Sequence, residues 1–125
     1  MKQKIKEKSS KPSKRRKSNY TIALHKVRKE FSAHLSKELR AKIGRRSLEL
    51  RKGDLVKVMR GDKKYVGKQA KVVEVRRTKR QVFLENIVRK KANGTEVLVP
   101  FRPSNLMIIA IDEKDNRRFK ARKKK

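Results

Sequence analysis

Residues 51–75 read RKGDLVKVMRGDKKYVGKQAKVVEV. Arg51 to Asp54 is a turn: a glycine and a short carboxylate together favour a reversal. Leu55 to Met59 then alternates, with Val56 and Val58 on one face and Lys57 on the other. That period of two marks a half-buried strand. A basic loop, Gly61 to Gln69, follows, and Ala70 to Val75 returns as a second strand. Further along, Gln81 to Val88 is a third strand with Val82 and Leu84 on one face. Asn93-Gly94 predicts a type I′ hairpin turn, which needs positive φ at both central residues. Glu96 to Val99 runs back until Pro100 ends it, and Leu106 to Ile111 is the last strand. Five short strands with no helix between them predict a mainly β chain built on a small, strongly bent barrel. Its expected core is Val56, Val58, Val72, Val75, Val82, Leu84, Val97, Val99, Leu106 and Ile108.

Upstream, the pattern is helical. Leu35, Leu39 and Ile43 recur every four residues, and a short helix over 36–43 is expected, with Ser36 as its N-cap. Glu38 lies in the first turn, where the helix dipole favours an anion, and Gly44 is placed to end the helix in a left-handed conformation. Four regions result: a basic arm at 1–18, an extension at 19–50, the barrel at 51–111 and a basic tail at 112–125. The arm holds one large apolar residue after the start, Ile5. It cannot offset its chain entropy and should be disordered in the free protein.

The 125 residues carry 41 Lys and Arg against 12 Asp and Glu, a formal charge of +29. The excess is not confined to the ends: the net charge is +8 over 1–18, +5 over 19–50, +11 over 51–111 and +5 over 112–125. A surface so uniformly basic calls for a polyanion. With no cysteine, a disulfide framework and a thiolate zinc site are excluded. The longest apolar run, Leu106 to Ile111, is far shorter than the roughly 18 residues a membrane span needs. No apolar segment follows the basic start, so no secretory signal is expected. These features together favour an intracellular setting with nucleic acid as the partner.

Catalytic chemistry is not in evidence. His25 and His34 lack a second ligand at metal-binding spacing, and the glycines form no phosphate-loop signature. Asp54 and Asp62 follow glycines in turns, where a carboxylate caps backbone amides. No nucleophile has a visible paired base, so neither enzyme activity nor a cofactor nor a metal is expected.

Cations instead gather at the loops. Lys63, Lys64 and Lys68 share the 61–69 loop with Tyr65, whose ring could stack on an unpaired base or pack on the barrel rim. Arg76, Arg77, Lys79 and Arg80 form a second tip, and Arg89 to Lys91 a third. Lys14, Arg15 and Arg16 stand in the arm, Arg117 and Arg118 in the tail. Basic tips on several loops, with two basic arms, describe a body surrounded by phosphate rather than a reader of one groove.

The stretch from Arg51 to Gly61, then Gly67, then Lys71 to Val75, resembles the KOW motif. The flanks resemble one family in particular. Ala23-Leu-His25, Arg28-Lys29, Leu35 to Arg40 and Gly44 to Leu48 lie upstream; Lys91 to Val97 and Pro103 to Ile108 lie downstream. Together they resemble the KOW-type proteins of the large ribosomal subunit, in their archaeal and eukaryotic branch. The resemblance implies an SH3-like barrel and direct binding to the 5′ part of large-subunit rRNA early in assembly. It also implies a cytoplasmic place on the outer surface of the subunit, near the peptide exit tunnel. The implied partners are rRNA, neighbouring ribosomal proteins and factors docking at the exit site, with no membrane and no homo-oligomer.

By match to the family motif, RNA contact falls to Arg45, Arg46, Arg51, Lys52, Lys57, Arg60, Lys63 and Lys64; His25, Arg28 and Lys29 match the extension. Two departures stand out. The family usually has glycine where this chain has Ala70, beside a loop about two residues longer; an ordinary strand conformation is expected there. Arg102 replaces a usual histidine. A transcription elongation KOW factor is the alternative, but it would carry a separate globular domain ahead of the barrel. A nuclease would need an acidic metal cluster, and a chromatin-type DNA compactor would share only the charge.

Overall fold

A computed structural model of the chain describes residues 9–112 and Arg118. Seven strands form one sheet: β1 (Ser32–Leu35), β2 (Ser47–Glu49), β3 (Leu55–Val58), β4 (Gln69–Arg76), β5 (Gln81–Lys90), β6 (Glu96–Phe101) and β7 (Leu106–Ala110). Their order is β2-β1-β7-β3-β4-β5-β6. Every pairing is antiparallel except β1 with β7, so the sheet is mixed. The chain is mainly β, and the barrel-like sheet stays open, with β2 and β6 as its two ends.

The alternation in the central stretch becomes burial directly. Val56 and Val58 are fully buried on β3, while Leu55 and Lys57 between them are half-buried. Val72, Val82, Leu84, Leu106 and Ile108 join them. Val75 and Val99 pack partly buried against this cluster. Val97 does not belong to it: it is 41% exposed near the start of the edge strand β6. Pro100, expected to end that strand, is inside it and lies opposite Phe83. An edge strand tolerates proline because one side of it makes no ladder.

The hairpin between β5 and β6 also differs from expectation. Gly94 has φ 82, but Asn93 does not share its positive φ, so the turn is not type I′. The Gly94 amide donates to the Lys91 carbonyl at 3.0 Å, and Lys91 N donates to Thr95 O at 2.9 Å. This is a three-residue connection ending in a left-handed glycine, which needs only one residue free of a Cβ clash. Asn93 serves it differently, its Oδ1 accepting from Thr95 N at 3.2 Å and Thr95 Oγ1 at 2.7 Å.

The larger difference lies upstream. Residues 19–50 supply β1 and β2 as well as helix α3 (Lys37–Ile43) and the short helix α2 (Leu24–Val27). Val27, Phe31, Ala33, Leu35, Leu48 and Leu50 are all buried in the same core as the β3–β7 residues. Ser36 N donates to Ile108 O at 2.9 Å, tying the extension to β7, and Leu50 N donates to Phe31 O at 2.9 Å within it. Leu35, read as part of a helical stripe, is on β1; Leu39 and Ile43 are the helical residues that pack on the core. The Ser36 hydroxyl accepts from Leu39 N at 3.4 Å, and Gly44 ends α3 with φ 66, its amide donating to Arg40 O. Toward the end of the N-terminal arm lies α1 (Pro12–Thr21). Proline suits the first helical position, and the Lys and Arg that follow are fair helix formers. None of its residues is buried. Residues 1–8 of the expected arm lie outside the described residues.

Candidate nucleic-acid interface

Strand β4 separates two cationic ends. Its eight residues span up to about 25 Å, at 3.2–3.4 Å per residue. At its N-terminal end lies the 60–68 loop, at its C-terminal end the 77–80 turn.

The first end is shaped by Asp62 and Tyr65. The Asp62 side chain accepts from Lys64 N at 3.1 Å and its carbonyl from Tyr65 N at 2.9 Å, which coils the loop tightly. Tyr65 turns inward: it is 8% exposed and meets Phe101 edge-to-face, with ring centroids 6.0 Å apart. It is therefore part of the core and closed to a stacking base, the packing alternative of the two. The Lys64 and Lys68 ammonium groups stand 5.9 and 5.6 Å from its ring centroid. A cleft of about 620 Å³ opens beside it, with Arg60, Lys64, Arg89 and Arg102 among its walls. Arg89 and Arg102 are not among the positions matched to the family motif. A basic run before a hairpin turn was the only sequence signal for Arg89.

The other end joins the turn to the N-terminal arm. Arg80 has φ 54, a left-handed conformation that few side chains adopt, and the turn holds it there. Its guanidinium donates to Asn19 O at 2.9 Å and pairs with Glu30. Arg16, Tyr20, Arg77, Lys79 and Arg80 thus share one cleft of about 630 Å³. Arg76, one residue before the turn, is engaged: it bonds Glu74 at 2.7 Å and lies 4.8 Å from the Phe83 ring centroid. That hydrogen bond holds the Glu74 carboxyl below its ordinary value and raises the Arg76 guanidinium.

Between the two ends runs a groove of about 590 Å³ that includes Arg51, Lys52 and Arg77, but also Glu49 and Glu74. Arg51 and Lys57 are half-buried; Lys52 and Lys63 are exposed. Lys14, Arg15, His25, Lys29 and Arg46 are exposed along the N-terminal half. Arg28 is exposed but pairs with Glu49 at 3.0 Å, and Arg45 donates to Arg118 O at 3.2 Å. Arg117 lies outside the described residues.

Arg118 departs furthest from its expected role. Its side chain is 2% exposed and that of Asp54 0%. Its two terminal nitrogens reach Asp54 Oδ1 at 2.7 Å and Oδ2 at 2.6 Å, and one also donates to the Glu49 carbonyl. Asp54 accepts further from Arg51 N at 2.8 Å and Asp112 N at 3.3 Å. A guanidinium buried in a bidentate pair is closed to a phosphate in this conformation, so Arg118 does not stand at the surface as the basic tail suggested.

Among the described residues no group of three or more His, Asp and Glu could hold a metal ion. None of their helices is long and apolar enough to cross a membrane. The arrangement can bind extended anions by charge and hydrogen bonds.

Comparison with known proteins gives a consistent result. The family model for ribosomal proteins L26 of eukaryotes and L24P of archaea matches residues 9–125. Over 111 residues the chain is 48% identical to the large ribosomal subunit protein uL24 of Korarchaeum cryptofilum, spanning 89% of this chain and 83% of that protein.

Proposed function

Since this chain belongs to the family of eukaryotic L26 and archaeal L24P ribosomal proteins, structural proteins of the large subunit, we propose that it binds the 5′ part of large-subunit rRNA directly. It nucleates early assembly and takes a place on the outer surface of the cytoplasmic ribosome, near the peptide exit tunnel. One observation carries this reading: exposed cations lie at both ends of β4 and along the N-terminal half, so the body offers phosphate contacts on several sides at once. A protein embedded in folded rRNA needs that distribution, because separate RNA segments meet it from different directions. Neighbouring ribosomal proteins and factors docking near the exit site are the further partners. No catalytic role is assigned.

Chemical footprinting on protein-free large-subunit rRNA tests the reading. Adding the purified chain alone should protect nucleotides in the 5′ part. Protection confined to other parts, or appearing only after other proteins have bound, would overturn it. In a lysate the protein should sediment with the large subunit and stay there through a moderate salt wash.

A further inference from the structure

Tyr20 is the feature that the described contacts leave unexplained. It is 92% exposed, the most open large hydrophobic side chain among the described residues. An aromatic ring that packs on nothing gains nothing from folding, and here it stands three residues after the basic run Lys14 to Lys17. Its backbone is nonetheless held. Arg80 bonds the carbonyl of Asn19, the residue before it, and Ile22, two residues after it, packs against the core. Glu30, an acid that would repel an anion here, is paired with Arg80. The backbone therefore carries the ring beside Arg16, Arg77 and Lys79, in the cleft between α1 and the β4–β5 turn.

An exposed ring ringed by cations fits an unpaired nucleotide: the π-face takes the base and the cations take the flanking phosphates. We propose that this cleft holds a single-stranded nucleotide of the rRNA, with Tyr20 stacked on its base and Arg77 and Lys79 on its backbone. Arg80 is a positioning residue: its guanidinium bonds Asn19 O and pairs with Glu30. The proposal rests on the rRNA-binding reading above and adds a base contact to it. The charge of the cleft favours RNA over a neighbouring protein as the occupant, and the experiment separates the two.

The test is a salt series of affinities for a fragment from the 5′ part of large-subunit rRNA, using the full chain. Tyr20→Ala should weaken binding about 5- to 150-fold, the loss expected for one stacked base, without changing the salt slope. Tyr20→Phe keeps the ring and should stay within about two-fold of the wild-type chain. Arg77→Ala with Lys79→Ala should instead make the slope shallower by about one to two units. The Tyr20 side chain is exposed, so circular dichroism of its variants should match the wild type. If Tyr20→Ala binds as tightly as the wild type, the stacking claim is overturned while rRNA binding stands; a ring covered by a neighbouring protein gives that result. If Tyr20→Phe is as weak as Tyr20→Ala, the contact is through the hydroxyl and the proposal fails. If the wild-type chain itself does not bind the fragment, the failure belongs to the rRNA-binding reading instead.

Discussion

Asp54 accepts hydrogen bonds from two backbone amides and both terminal nitrogens of Arg118, in a place closed to water. Removing the arginine would strand a buried carboxylate. Arg118→Ala is expected to destabilise the fold by about 3–5 kcal/mol, read from urea unfolding. A loss below about 1 kcal/mol would mean that the pair is an ordinary surface contact. Sequence reasoning saw one half of this. A short acid after a glycine was legible as a turn cap, and Asp54 does accept from Arg51 N. The arginine among the basic residues of the tail was not, because nothing local distinguishes a cation that finds a buried carboxylate from one that meets phosphate. Ala70 is the opposite case. It lies in β4 opposite Val56, outside the positive-φ set, as the strand pattern indicated. Ala70→Gly should therefore cost about 0.5–1 kcal/mol through added backbone entropy in the unfolded chain. A gain in stability in the same urea melt would contradict the strand assignment.

Helix α3 was legible because its signals are local: a cap, a stripe and a left-handed glycine. Ser36→Ala should lower the midpoint of thermal unfolding, at a cost of about 0.5–1 kcal/mol, the lower part of the range because the capping bond is long. An unchanged midpoint would show that the cap contributes nothing. Strands β1 and β2 were not legible. At four and three residues they offer too little alternation to recognise, and what holds them is pairing with each other and of β1 with β7, more than 70 residues away. The consequence is testable. A fragment beginning at residue 51 would lose Phe31, Leu35, Leu48 and Leu50 from the core and leave β7 unpaired on one side. It should lack the dispersed amide spectrum of the full chain. A well-dispersed spectrum would show that the extension is an accessory rather than part of the domain.

For the whole molecule, the charge of +29 was the sequence's most informative property, and the structure gives it a distribution. Cations at both ends of β4 survive as exposed groups, while Tyr65 and Arg118 are withdrawn into the interior and Arg28, Arg76 and Arg80 are engaged by carboxylates. What remains is still a surface that should release many counterions on meeting RNA. The most direct test is the salt dependence of equilibrium binding between the full chain and a fragment from the 5′ part of large-subunit rRNA. The logarithm of the association constant should fall linearly with the logarithm of salt concentration, by about 0.7–0.9 for each phosphate neutralised. Replacing Lys63 and Lys64 together by alanine should make that line shallower by about one to two units. An association constant that hardly changes with salt, or a slope untouched by losing both lysines, would contradict an account in which this basic surface is the rRNA interface.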